Sequence, residues 1–467
     1  MSVKTVHPLY TKYAPAVKLT RDAVEGEPAV KAAGSLYLPA DFAISDPARY
    51  AVYKERAYFM GVTGQTQNST LGMIFRKPPT VEVPDSINAL FDNIDGAGQS
   101  LEQVSKYAAS ELEEAGRIGL LADYPKADGI TSKASEKAAG LRPYILTYTT
   151  ESIINWKTSV IGGRTVLSLV VLKEQKDIST NEFEHLYENQ YRVLKLIDGV
   201  FVQQMYDNGG DPIGEPVMPR MAGKPLNYIP FHFAGANDNL PCPDMPMLYN
   251  IAVVNVAHYA NSADLEESSF MMSQPHLHLN IGEKADQAEF QALNPNGLKY
   301  GSRSGSITCG GSIDLVQASE NNLALTLKRD KEDQMGALGA SKLQKTGAPE
   351  TLGAARLNAS AQTSELDTLV SNLSDAITKC LKDMAGFMGI TSGIVYELNR
   401  DFFEGSLTPE LIASVTGLQQ SGTIAKADVL HMLREGALVI DEKRTNEMIA
   451  QDVASELLDS PANYDTM

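Results

Sequence analysis

Between Pro246 and Pro275 the chain reads PMLYNIAVVNVAHYANSADLEESSFMMSQP, with no proline or glycine inside. Met247, Leu248, Ile251, Val254, Ala257 and Leu265 recur at helical spacing, so the segment predicts one continuous helix. At ~1.5 Å per residue it would reach roughly 40 Å, the width of a small domain. Asn255, His258, Asn261 and Ser262 interrupt its apolar face, which makes it too polar for a bilayer and too long for an ordinary compact core. Such a helix must find partners along its whole length.

A chain of 467 residues with 43% hydrophobic and 21% charged side chains can bury true cores and divide into roughly two to four domains. Lys and Arg total 40 against 58 Asp and Glu, a formal charge of −18. That balance argues against a basic surface that wraps nucleic acid. Cys242, Cys309 and Cys380 lie far apart without a CxxC pair, as expected for buried free thiols in a reducing compartment. The first residues hold no apolar run of signal-peptide length and no later window suits a membrane span, so a soluble product of a cytoplasm is expected.

Along the chain, residues 47 to 62 predict an amphipathic helix with Tyr50, Tyr53, Ala57 and Met60 on one side, followed by a polar turn at VTGQTQNST. LGMIFRKPPTVEVP then suggests a short strand. Two helices around Asp95-Gly96 and a buried strand, Ile118 to Ala122, come next. Between Arg142 and Asp207 alternating and β-branched runs predict an antiparallel meander, and LNYIPFHFAG one more strand. After Pro275 a β-rich piece, HLHLNIG through KYGSRSGSITCGGSIDLVQ, is too poor in large apolar residues to form a core alone. A helix from Asn321, a break at KTGAPE, and a leucine-rich helix over about 350 to 388 follow, the last with Leu352, Leu357, Leu366, Leu369, Leu373, Ile377, Leu381 and Met384 at mixed helical steps. The remainder suggests small helices. From Asp441 onward seven acidic residues face two basic ones, an acidic tail. The class is α+β.

Motifs for chemistry are sparse. No GxxxxGK[ST], GxSxG or HExxH spacing occurs. His276 and His278 share a strand face but lack a third ligand nearby, so surface or interface histidines are expected rather than a metal site. Around His185, Glu184 and Glu188 would share a face only if helical, and the setting reads as β. CGGS at Cys309 lacks the helix an anion site would need. Trp156 is expected as a core anchor. No catalytic residue and no cofactor is expected. Asp264, Glu266 and Glu267 oppose the macrodipole near the end of their helix, with no cation on it to offset them. Lys328, Arg329 and Lys331 sit at a comparable distance beyond the β piece. If the two helices return antiparallel, these charges could meet within a subunit or between neighbours, or remain two solvated faces.

The order of long helix, small β tip, returning helix, Gly-Pro break and longer leucine-rich helix resembles the stem, clip, stem, tunnel loop and backbone helix of tailed-bacteriophage portal proteins. YAVYKERAYFMGVTGQT, LGMIFRKPP, NIDGAGQSLEQ, AGRIGLLADYP, RPYILTYTTESIINW, IPFHFAG and NVAHYANSADLEESSF resemble the landmarks of one portal subfamily long filed as a phage domain of unknown function. The resemblance implies an N-terminal arm over 1–45, an α/β wing over 46–245, a first stem helix over 246–274 and a clip over 275–320. It further implies a second stem helix over 321–341, a tunnel loop over 342–351, a backbone helix over 352–390 and a crown-like helical segment with the acidic tail over 391–467. Lys342, Lys345, Thr346, Gly347 and Pro349 would line the channel, and His276, His278, Lys299 and Arg303 would belong to the clip. The family forms dodecameric rings at one capsid vertex. Its implied partners are further copies of the chain, the terminase large subunit, a head-tail adaptor, the major capsid and scaffolding proteins, and double-stranded DNA passing through, with no membrane. Implied roles are DNA packaging, head-tail joining and DNA ejection, in a virion assembled in the host cytoplasm. The long helix would then pack against copies of itself around an axis, one side facing neighbours and another a hydrated channel. Another connector or adaptor ring, or an enzyme with a dispersed site, are the alternatives.

Overall fold

His7 accepts a hydrogen bond from the Leu9 amide at 3.1 Å and Pro8 opens the first turn, which starts helix α1 (Pro8–Glu25). A second helix, α2 (Glu27–Ala33), follows, and Val17, Thr20, Ala23 and Val30 are buried. The stretch assigned as an arm is therefore largely helical and contributes to a core. The computed structural model describes residues 2–125, 140–273, 276–280, 286–295, 312–316, 323–339, 352–391, 393–402 and 417. The α+β chain divides into two units, Met1–Leu398 and Asn399–Met467, and the elements below belong to the first.

Asp46 caps α3 (Pro47–Arg56) by accepting from the Arg49 amide at 3.0 Å. The expected turn at VTGQTQNST is instead helix α4 (Val62–Ile74). Its Gly, Thr and Asn content disfavours helix locally, but tertiary contacts decide: Thr63, Thr66, Gln67, Leu71 and Ile74 are all buried. The strand expected around LGMIFRKPP shrinks to β1 (Thr80–Glu82), because its first residues complete α4. After the single turn α5 (Asp85–Asn88), a capping box of Ser100 and Gln103 starts α6 (Leu101–Ala115). Gly116 stops α6 at φ +71°, where a side chain would collide with the Asp244 carbonyl.

The next strand, β2 (Arg117–Asp123), is buried throughout and is flanked by β3 (Tyr144–Thr149) and β11 (Phe231–Gly235), all antiparallel. The meander β4 (Ile153–Ile161), β5 (Arg164–Asp177), β6 (Tyr187–Ile197), β7 (Val200–Tyr206), β8 (Pro212–Val217) pairs in chain order as a five-stranded sheet. RPYILTYTTESIINW thus supplies strands to two sheets. Tyr148, Trp156, Phe201, Phe231 and Phe233 join one apolar cluster drawn from both sheets, with Trp156 only 4% exposed. The small hairpin β9 (Arg220–Met221), β10 (Lys224–Pro225) precedes β11.

Pro246 and the residues after it lead into the long helix α7 (Tyr249–Ser273). Beyond it β12 (His276–Asn280) pairs antiparallel with β13 (Ser312–Val316), and a helix that the sequence did not suggest, α8 (Asp286–Leu293), stands between them. Then come α9 (Leu323–Leu338), the 37-residue α10 (Leu352–Met388) and β14 (Val395–Glu397), which pairs with β1. Leu366, Leu369, Leu373, Ile377, Leu381 and Met384 of α10 are buried where it lies on β2, β11 and α6. Cys380 is buried, while Cys242 is exposed, contrary to the expected burial, in the turn-rich segment ahead of α7. The loop segment 342–351, Lys299, Arg303, Cys309 and nearly all of 403–467 lie outside the described residues, as does the side chain of His276.

Candidate functional site

Helix α7 is the natural centre, because its polar interruptions are where the sequence raised its question. Asn255, His258 and Ser262 follow helical steps of three and four and are 0, 0 and 2% exposed. Asn255 Oδ1 accepts from the Thr63 amide at 3.2 Å and the Thr63 hydroxyl at 2.9 Å, and its Nδ2 donates to the Met60 carbonyl at 2.8 Å. Ser262 Oγ accepts from the Tyr58 amide at 2.8 Å and donates to the Tyr58 carbonyl at 2.9 Å. Residues 57–61, which connect α3 to α4, thus have backbone groups satisfied by side chains of α7 in place of a neighbouring strand. Around these bonds Ala57, Phe59, Ala252, Tyr259 and Ala263 pack as an apolar layer.

The acidic end of α7 is also occupied within the chain. Asp264 Oδ1 accepts from the Tyr53 hydroxyl at 2.7 Å. Glu267 takes Arg49 at 3.2 Å on one carboxylate oxygen and Arg56 at 3.0 Å on the other. Burial, then the Asp264 bond, raises the Tyr53 hydroxyl. The Arg56 guanidinium also lies 3.5 Å over the Phe270 ring. Three donors at Arg49, Tyr53 and Arg56 are spaced by four and three on α3, so they form one face opposite Asp264 and Glu267, themselves three apart. That spacing was present in the sequence. It was obscured because α3 was read for its tyrosine and alanine stripe.

Of the expected pairing between helices, Glu266 and Arg329 are exposed, and no ion pair joins Asp264, Glu266 or Glu267 to Lys328, Arg329 or Lys331 among the described residues. Lys328 instead approaches Glu332 at 4.0 Å on its own helix. The link between α7 and α9 is His258, whose Nε2 lies 3.2 Å from Glu332. Burial lowers the His258 pKa, and the opposing pull of Glu332 does not restore it. Met335 packs on Leu248 and Ile251, and Gly339 approaches Ile251 and Thr66 so closely that a Cβ would overlap both. With 258 beside 332 and 251 beside 339, α9 returns antiparallel along α7.

A second, partly buried network is not evident from the sequence. Arg21 of α1 binds Glu111 at 2.6 Å, Glu114 at 3.0 Å and Glu151. Burial pulls the guanidinium pKa down, but Glu111 and Glu151 outweigh it and hold Arg21 above its ordinary value. Next to it Glu113 is fully buried. One carboxylate oxygen accepts from the Thr70 hydroxyl at 2.9 Å, and the other has no partner among the described residues. Burial raises the Glu113 pKa well above the carboxylate range. No cluster of three or more metal-ligating side chains occurs among the described residues, and none of their helices is long and apolar enough to cross a membrane. His278 is exposed and sits opposite Asp314 in the β12–β13 pair.

Among the described residues, one flank of α7 is open. Val253 is 39% and Leu36 61% exposed, and with Ala14, Pro15, Leu19 and Val256 they line an apolar groove between α1 and α7. What the arrangement can do is mechanical: it locks α3, the 57–61 segment and α9 onto α7 while leaving that groove uncovered.

Residues 247–388 match the family model described as a domain of unknown function, DUF4055. The match begins just ahead of α7 and ends with the last residue of α10. No curated protein matches the chain. Among solved structures, a chain from the neck of an empty GTA particle computed with C6 symmetry is similar, with a TM-score of 0.41 and 11% identity over 85% of this chain and 94% of that one.

Proposed function

We propose that this chain is the portal subunit of a tailed bacteriophage, a structural rather than catalytic protein that forms a closed ring at one capsid vertex for DNA packaging, head-tail joining and ejection. The support is the helical hairpin of α7 and α9 on either side of the β12–β13 pair, followed by the 37-residue α10. That order is the one the sequence resemblance led us to expect.

In a ring, the groove at Val253, Val256 and Leu36 would be covered by the next copy, while Glu266 and Arg329 are the members of the charged set left to meet across the joint. Such a joint is repeated around the axis, so individually weak contacts add. A chain of −18 formal charge gives a wall that does not grip phosphates, as a passage for DNA requires. Lys342 and Lys345 would form a modest positive collar, since Gly347 and Pro349 disfavour a helix running through that stretch of the sequence. Terminase, adaptor, capsid and scaffolding proteins would be its partners in the virion.

The test is complementation of a phage lacking the gene. Replacing 344–349 with a Gly-Ser linker should leave rings intact and impair DNA retention or packaging. Normal filled heads from that variant would remove the collar assignment, and filled heads formed with no copy of this protein present would remove the portal assignment.

A further inference from the structure

The connection from β5 to β6, residues 178–186, is not a slack turn. Asn181 Oδ1 accepts from the Phe183 amide at 2.9 Å and from the Glu184 amide at 3.1 Å. Ser179 Oγ accepts from the Leu186 amide at 3.0 Å, the Ile178 amide donates to the Leu186 carbonyl at 2.8 Å, and Thr180 donates to Glu184 at 2.8 Å. These bonds fix the connection while leaving Phe183 83% exposed, flanked by Ile178, Leu186 and Tyr187 at 44, 50 and 58%. An ordered loop that holds an aromatic ring in water has already lost the entropy that binding would otherwise cost, and aromatic rings of this kind are favoured anchors.

Charge selects the occupant. Asp177, Glu182, Glu184 and Glu188 share this stretch of chain with the apolar group; no Lys or Arg occurs from 177 to 188, and Lys176 stands opposite Glu188 in the β5–β6 ladder. Hydrogen bonds from Ser179 lower the Asp177 pKa, and those from Thr180 and Asn181 lower that of Glu184, so both stay ionised. The acidic stretch after Asp441, and the same acidic loop on a second copy, would both be repelled.

We propose that the Phe183 loop is a docking element for a different protein, one that offers an apolar pocket rimmed by Lys and Arg. Phe183 fills the pocket, and the four carboxylates set its orientation. The inference does not depend on the ring assignment.

The probe is a displayed library of random peptides, enriched on the full-length chain and depleted on the Phe183→Ala variant, which keeps the same charge. Circular dichroism confirms that the variant is folded. The surviving peptides should combine basic with large apolar residues, bind the wild-type chain about tenfold or more tightly than F183A, recover on Phe183→Trp, and weaken with salt. The proposal is overturned if no peptide distinguishes the two chains, or if those that do are neutral or acidic. It is equally overturned if F183A alters the oligomeric mass, since the loop would then be a contact between copies.

Discussion

The apolar cluster shared by the two larger sheets and the α7 layer solve the same packing problem in opposite ways. In the sheets, Tyr148, Trp156, Phe201, Phe231 and Phe233 meet as an apolar cluster whose register follows from strand alternation. Around α7 the register is set by matched polar groups: Asn255 with Thr63 and Met60, Ser262 with Tyr58, and Asp264 and Glu267 with α3. Apolar burial contributes more energy per residue, whereas buried polar pairs penalise every register but one. A long, moderately polar helix can therefore be placed without a wide apolar face.

The largest expected effect comes from breaking the apolar side. Phe231→Ala should cost about 3–5 kcal/mol, read as a lowered midpoint in denaturant. Asn255→Leu sharpens the contrast, because it adds apolar volume yet takes the shared acceptor from the Thr63 amide and hydroxyl, while the Met60 carbonyl keeps the Val62 amide. A loss of about 1–3 kcal/mol is expected for each group left unpaired; an unchanged or higher midpoint would mean that packing alone places α7.

A smaller effect of opposite sign is expected at Glu113. Its folded pKa lies above the ordinary 4.5, so its contribution to stability is present on the acid side and is lost as pH rises from about 4.5 through the folded value. At neutral pH the carboxyl is a liability. Glu113→Gln keeps an acceptor for Thr70 and should raise stability by about 1 kcal/mol, with the gain growing between pH 5 and 8. A gain that is flat across that range would show that Glu113 is already ionised in the folded state, so that burial does not raise it.

Helices α7, α9 and α10 were legible in the sequence, since long spans without Pro and with apolar residues at helical steps have few alternatives. The contents of 62–74 were not, because Thr63, Gln67 and Thr70 adopt a helix only when α6 and α7 supply their partners. Helix α8, lying in a Gly- and Ser-rich stretch, gave too short a pattern to separate it from β structure. Partner identity is the hardest part to read. Nothing near the acids of α7 points to Arg49, Tyr53 and Arg56, which lie some two hundred positions earlier. Spacing within one helix reveals a face, but nothing local tells which distant face it meets.

The smallest expected effect is at that ionic end. Arg56→Ala with Glu267→Ala in a double-mutant cycle should give a coupling of at most ~1 kcal/mol, because the pair is partly solvated and Arg49 remains as a second partner for Glu267. A coupling several times larger would place the main tie of α3 to α7 in this ion pair rather than in Asn255 and Ser262.

All of these contacts lie within one chain, and the flank of α7 at Val253 lies outside them. In the proposed ring, further copies cover it. Native mass measurement of the purified full-length chain at micromolar concentration should give a closed assembly of roughly a dozen 50.5 kDa copies, on the order of 600 kDa, that Val253→Asp disrupts. A stable monomer or dimer of the wild-type chain would contradict it.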